Sequence, residues 1–265
     1  MQVARVTIGP VEFAAYHIDA PHRARATELV WGHGWGQTHA QLRELADSAR
    51  HIGPSWLIDF PGFGASPPPP GSWGTAEYAA TIAGWLGERG GLRRVWIGHS
   101  FGGRVGLQLA ARYPALVSGL FLIAAAGVPP RSASWKRLRL GARKCTYKAA
   151  RTLVPEGRGR EWLRRRLGSA DYARAGLLRP VLTKVVAEDL SDVVGAVQCP
   201  VMLLYGDRDR ETPPEIGYRI RSLSARADLF ILHGFDHYDI LTEGRHQVLH
   251  RLNQFTNRFS NDDIA

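Results

Sequence analysis

Residues 95–112 set a short apolar strand candidate, Val95-Trp96-Ile97, against a helix-like run, joined by Gly98-His99-Ser100-Phe101-Gly102-Gly103. A strand-to-helix turn this tight forces its middle residue into a strained backbone conformation and lifts that side chain above the sheet. The glycines leave room for the strand and the helix to approach each other closely. The following helix aims its N–H groups and positive dipole end at Ser100. Ser100 is therefore a candidate nucleophile in a G-x-S-x-G turn. A purely structural Gly/Ser turn of a doubly wound sheet is the alternative.

The rest of the chain supplies a sheet for this joint. Residues 3–8 and 11–18 alternate around Gly9-Pro10 as an opening hairpin. Short apolar runs at 28–31, 56–58, 95–97, 120–125, 201–205 and 229–232 read as buried strands. Helical spacing appears at 38–50, 78–88, 104–112 and 246–258. Strands alternating with helices predict an α/β fold with a mainly parallel central sheet covered on both faces. Residues 128–197 break the rhythm. They are helix-like, basic and strand-free, and they read as a helical cap inserted into a core of residues 1–127 and 198–265.

Charge and cysteine content narrow the setting. The net charge is +10. Much of the excess lies in residues 131–166, where only Glu156 and Glu161 oppose it. This segment reads either as a solvated helical face or as a surface that attracts an acidic carrier protein or an anionic surface. No zinc finger, helix-turn-helix or aromatic stacking sheet accompanies it, so nucleic acid is not expected. The longest apolar run, residues 119–128, is about half the roughly 20 residues of a membrane span. Cys145 and Cys199 lack metal-like spacing, and the N-terminus lacks the pattern of a secretory signal. A reducing cytoplasm fits these features, and no metal or cofactor is expected.

With G-x-S-x-G in its strand-turn-helix context, the chain resembles the α/β-hydrolase family over nearly its whole length apart from the cap. The resemblance implies an α/β-hydrolase fold and an acid and a histidine in that order, each after a strand. Behind Val201-Met202-Leu203-Leu204-Tyr205 comes Gly206-Asp207-Arg208-Asp209, with Pro213 close by. The family pattern maps the acid to Asp209, with Asp207 as its rival two residues away. Behind Leu229-Phe230-Ile231-Leu232-His233 comes Gly234-Phe235-Asp236-His237, matching the family's G-x-x-H. His237 is thus the implied base.

These residue types suit acyl transfer. A serine hydroxyl is almost un-ionised at neutral pH, so a base must take its proton as it attacks. His237 would do so and return the proton to the leaving group, while Asp209 would hold the ring's tautomer and stabilise the imidazolium. The negative oxygen of the intermediate needs donors. The resemblance assigns them to the N–H of Phe101 and to the N–H of Trp35 in Gly32-His33-Gly34-Trp35-Gly36. His33, Gly34 and His99 would flank the substrate pocket. The stretch Asp59-Phe60-Pro61-Gly62-Phe63-Gly64-Ala65-Ser66 resembles a recurrent structural loop of the family, and it lacks the lysine of a phosphate-binding loop.

A serine nucleophile argues against the dehalogenases and epoxide hydrolases of this family, which use a carboxylate. Hydrolysis of a small carboxylic ester is the expected activity. Thioesters and the C–C bonds of meta-cleavage products are alternatives on the same triad, and a small-ligand receptor is the non-enzymatic one. His33-Gly34-Trp35-Gly36 is similar to the oxyanion loop of the carrier-protein methyl ester esterases of biotin synthesis. Those enzymes carry tryptophan beside the serine, where this chain has His99.

Overall fold

Eight strands form one sheet in the computed structural model, which describes residues 1–21, 27–90, 93–129 and 175–261. They are β1 (Gln2–Ile8), β2 (Val11–Ile18), β3 (Thr27–Gly32), β4 (Ser55–Asp59), β5 (Arg93–His99), β6 (Gly119–Ile123), β7 (Val201–Gly206) and β8 (Ala227–Leu232). Their spatial order is β1-β2-β4-β3-β5-β6-β7-β8. β2 pairs antiparallel with β1 and with β4. From β4 to β8 every pairing is parallel.

The helices of the described residues are α1 (Arg43–Ser48), α2 (Thr75–Gly87), α3 (Phe101–Arg112), α4 (Arg179–Ala187), α5 (Ser191–Gly195), α6 (Pro214–Leu223), α7 (Asp239–Thr242) and α8 (Arg245–Asn261). Successive strand residues point to opposite faces, so each strand feeds two cores. Val30, Trp96, Leu120 and Leu203 pack on one face with Ile82 of α2 and Val105 of α3. Leu29, Trp31, Ile97, Phe121 and Leu204 pack on the other with Leu45 of α1 and Leu252 of α8. Burial on both faces explains why the central strands read as unbroken apolar runs.

Several boundaries differ from the sequence reading. The segment 38–50 is a short 3-10 turn, His39–Leu42, followed by α1. Leu42, Leu45 and Ala46 are buried on its inner side, as the spacing predicts. α3 begins at Phe101, three residues before the expected 104, because packing overrides the poor helix propensity of Gly102 and Gly103. β6 ends at Ile123, short of 125, and Ala124 takes a positive φ of 48°. The sequence reading missed α6; Pro214 at its first position, with Ile216 and Ile220 buried on one side, was the available signal.

Order reverses beside β3. The chain moves from β3 outward to β4, then crosses back through α2 to β5 on the other side. The chain therefore leaves the carboxyl ends of β3 and β5 toward opposite edges of the sheet, and the position above this switch point is the usual ligand site in open α/β sheets.

Of residues 128–197 the structure describes 128–129 and 175–197. Within them, α4 and α5 lie between β6 and β7, which are neighbours in the sheet. This stretch is fastened to α2 and α3. Glu188 accepts hydrogen bonds from the N–H and hydroxyl of Thr75 at 2.8 and 2.6 Å, and Arg104 Nη1 donates to the Val185 carbonyl at 2.9 Å. The basic segment 131–166, with Cys145, lies outside the described residues. No helix among the described residues is long and apolar enough to cross a membrane.

Candidate active site

Ser100 sits at the end of β5 with φ 49° and ψ −103°, a conformation that an L-residue adopts only when its surroundings impose it. They do so here from both sides. The Ser100 N–H donates to the Ile123 carbonyl at 3.0 Å, while its own carbonyl accepts from Gly103 N–H at 3.0 Å. A Cβ on Gly98 would overlap the Gly102 carbonyl, and one on Gly102 would overlap the Gly32 carbonyl. Glycine at both positions is therefore a packing requirement of the turn.

The same close approach ties this turn to the loop after β3, because Gly102 N–H donates to the His33 carbonyl at 3.0 Å. Trp35 of that loop packs its indole edge-on against Phe101 and Phe63. The Phe101 amide belongs to the first turn of α3, where helix N–H groups have no partner inside the helix. His33, expected at the pocket, instead lies behind it. The ring is fully buried; Nδ1 hydrogen-bonds the Gly34 carbonyl at 2.7 Å, and Nε2 accepts from Phe60 N–H at 3.2 Å. His33 thus braces the loop from inside.

Beyond β7 and β8 the two aspartates part company. Asp209 is buried, and its Oδ2 lies 2.7 Å from His237 Nδ1. Its Oδ1 accepts from the N–H groups of Glu211 and Thr212, both at 2.8 Å, and the Thr212 hydroxyl reaches Oδ2 at 2.8 Å. Burial by itself pushes this carboxyl up, but the hydrogen bond and charge of His237 and the donors of Thr212 hold it below the usual carboxylate range. Asp207 points elsewhere. It takes the Gly234 N–H at 2.7 Å and the exposed His233 ring at 3.0 Å.

A cavity of about 30 Å³ collects these parts. Gly34 and Trp35 line it from the first loop, His99 and Ser100 from the end of β5, and His237 with Tyr238 from the loop after β8. Gln37 and Glu211 complete its lining; neither was singled out from the sequence. Thr212 was missed as well, although an Asx-type turn three residues after Asp209 was a legible signal for it. Among the described residues no group of three or more His, Cys, Asp and Glu side chains is placed to hold a metal.

Comparison with known proteins agrees with this architecture. The family model of the alpha/beta hydrolase fold matches residues 29–158. A bacterial membrane phospholipase A of known structure superimposes with a TM-score of 0.72 at 23% identity, covering 95% of this chain and 84% of its own. The chain has the α/β-hydrolase fold. Its curated relatives include two proteins named pimeloyl-[acyl-carrier protein] methyl ester esterase. The one from Chromobacterium violaceum is 29% identical over 201 residues, covering 70% of this chain and 77% of the relative. The one from Shewanella sp. (strain MR-7) is 28% identical over 229 residues, covering 78% and 82%.

Two imidazoles beside the cavity of this fold are held neutral. Burial pushes His33 down from 6.5 to about 4. Burial, then the charge of His237, pushes His99 down to about 3. Below about pH 6.5 the unfolded chain binds protons at both positions that the folded chain refuses until near those lower values. Stability should therefore fall with pH in this window, by about 1.4 kcal/mol per pH unit for each imidazole. The lowered carboxyls of Asp59 and Asp209 change stability in the same direction, but only below about pH 5. From pH 6.5 to 5 the expected loss is about 3 kcal/mol, read as a lower urea midpoint. An unchanged midpoint would mean that the folded chain accepts both protons.

Proposed function

We propose that this α/β-hydrolase is a serine esterase that cleaves carboxylic esters through an acyl-enzyme on Ser100. The observation that carries the reading is the buried Asp209–His237 pair, 2.7 Å apart, in a cavity lined by His237 and Ser100 together. With Nδ1–H donated to Asp209, His237 keeps Nε2 bare as a base. Nε2 takes the Ser100 proton as Oγ attacks the ester carbonyl, and the N–H groups of Trp35 and Phe101 receive the negative oxygen. The intermediate collapses, the C–O bond to the alcohol breaks, and His237 returns the proton to the departing oxygen. Water then repeats the sequence on the acyl-enzyme and releases the acid and free Ser100.

Residues 1–127 and 198–265 would form the catalytic core and residues 128–197 a helical cap over it. The relatives' name supplies a substrate class, a methyl ester presented by an acyl carrier protein, and the protein would act on it in the cytoplasm. The basic run at 131–166 carries the positive charge that would attract such an acidic partner. The test compares a methyl ester carried on acyl carrier protein with the same ester free in solution, across a salt series. The carried ester should have the higher kcat/KM at low salt and lose that advantage as salt rises, because exposed charges are screened beyond about 10 Å at 0.1 M. Changing Arg164, Arg165 and Arg166 to glutamine should weaken the carried ester and spare the free one. Equal salt slopes for both substrates would remove the carrier protein. Turnover of a thioester or a meta-cleavage dienoate in preference to every oxygen ester would remove the esterase.

A further inference from the structure

We propose that the cavity beside Ser100 contains an acceptor-lined leaving-group subsite in which Glu211 favours alcohols bearing a positive charge and turns away those bearing a carboxylate. The inference rests on the esterase reading and adds the chemistry of the group that leaves. Glu211 is half exposed and lines the cavity, with its Oε2 3.6 Å from His237 Nε2. Nε2 is the nitrogen that must return a proton to the alcohol oxygen, so the departing group passes beside this carboxylate.

A second, independent feature has the same sign. His99 is fully buried, and its Nε2 is 3.0 Å from the His237 carbonyl, which can only accept, so the proton sits on that nitrogen. The remaining nitrogen, Nδ1, is an acceptor with no hydrogen-bond partner. It lies on the Gly34 side of the cavity, 2.8 Å from where a Cβ on Gly34 would stand. A buried acceptor without a donor is costly, and it adds its partial negative charge to the wall behind Glu211. The lining therefore offers the Glu211 carboxylate to whatever enters, with the bare imidazole nitrogen of His99 buried behind the wall as a second acceptor and Tyr238 beside them.

This arrangement complements the basic segment of the proposed cap. Negative charge on a large partner would be received there, and the chamber of the chemistry itself would repel it. A small neutral alcohol is tolerated, because it is neither attracted nor repelled by the half-exposed Glu211 carboxylate.

The test uses the full-length enzyme and esters of one short acyl chain with four alcohols: ethyl, choline, its uncharged isostere 3,3-dimethylbutyl, and carboxymethyl. Wild type should prefer the choline ester to its isostere by about fivefold in kcat/KM, the size that an exposed ion pair supports, and should do worst on the carboxymethyl ester. Raising salt should shrink the preference. Glu211→Gln should bring the choline-to-isostere ratio close to one and improve the carboxymethyl ester relative to ethyl. Glu211→Asp, which keeps the charge, should retain the preference. A ratio that is the same in wild type and Glu211→Gln would overturn the subsite while the esterase stands. No turnover of the ethyl ester by wild type would overturn the esterase reading and the subsite with it.

Discussion

Replacing Ser100 with alanine is expected to lower kcat by about 10⁶, the loss seen when the nucleophile of a comparable serine triad is removed. The reason is specific to this position. The strained turn at φ 49° is held by the Ile123 carbonyl and by glycine packing, none of which involves the hydroxyl. Alanine keeps the Cβ and the backbone bonds, so the fold should survive and the loss should be chemical. A fluorophosphonate probe should label wild type stoichiometrically and leave Ser100→Ala unlabelled. Persistent labelling at another serine would assign the nucleophile elsewhere.

Asp209→Asn should cost about 10⁴ in kcat, and Asp207→Asn less than about tenfold. An asparagine at 209 can still accept from the Glu211 and Thr212 amides through its oxygen. Its NH₂ would then face His237 Nδ1 and force that nitrogen to accept, moving the ring proton to Nε2. On the proposed mechanism, the base would be blocked at the atom that takes the Ser100 proton. Asp207 meets His233 and the Gly234 amide instead, so its loss should reach His237 only through a slight shift of the loop. The reverse ranking in kcat would show that the loop after β7 works in a different register. Circular dichroism and urea midpoints separate either outcome from misfolding.

The sheet and the serine turn were legible because their signals are local. An apolar run reads as a buried strand wherever it lies, and all six such runs became strands, as did the two alternating segments around Gly9-Pro10. The joint at 98–103 likewise carries its own steric demand, a tight turn whose close approaches admit only glycine. Element ends were less legible. The start of α3 at Phe101 and the end of β6 at Ile123 depend on contacts between the two turns, which local propensity does not contain.

The site divides along the same line. Residue type and chain position single out Ser100 and His237, since few spacings put a serine in such a turn and a histidine behind the last strand. Asp207 and Asp209 have the same chemistry and both follow the same strand. Only the path of the loop decides that Asp209 Oδ2 meets His237 at 2.7 Å while Asp207 turns to the surface. His33 reads as a pocket residue from its place in the glycine-rich loop, yet the packing of Phe60 and Phe63 around it leaves it inside the wall. Glu211 and the bare Nδ1 of His99 carry no sequence signal at all. Glu211 matters because the Asx turn at Asp209 swings it over His237, 26 residues farther along the chain. Local sterics thus determined which turn could hold a nucleophile. Long-range packing decided which charges surround it, because those distances exist only after β5, β7 and β8 lie side by side.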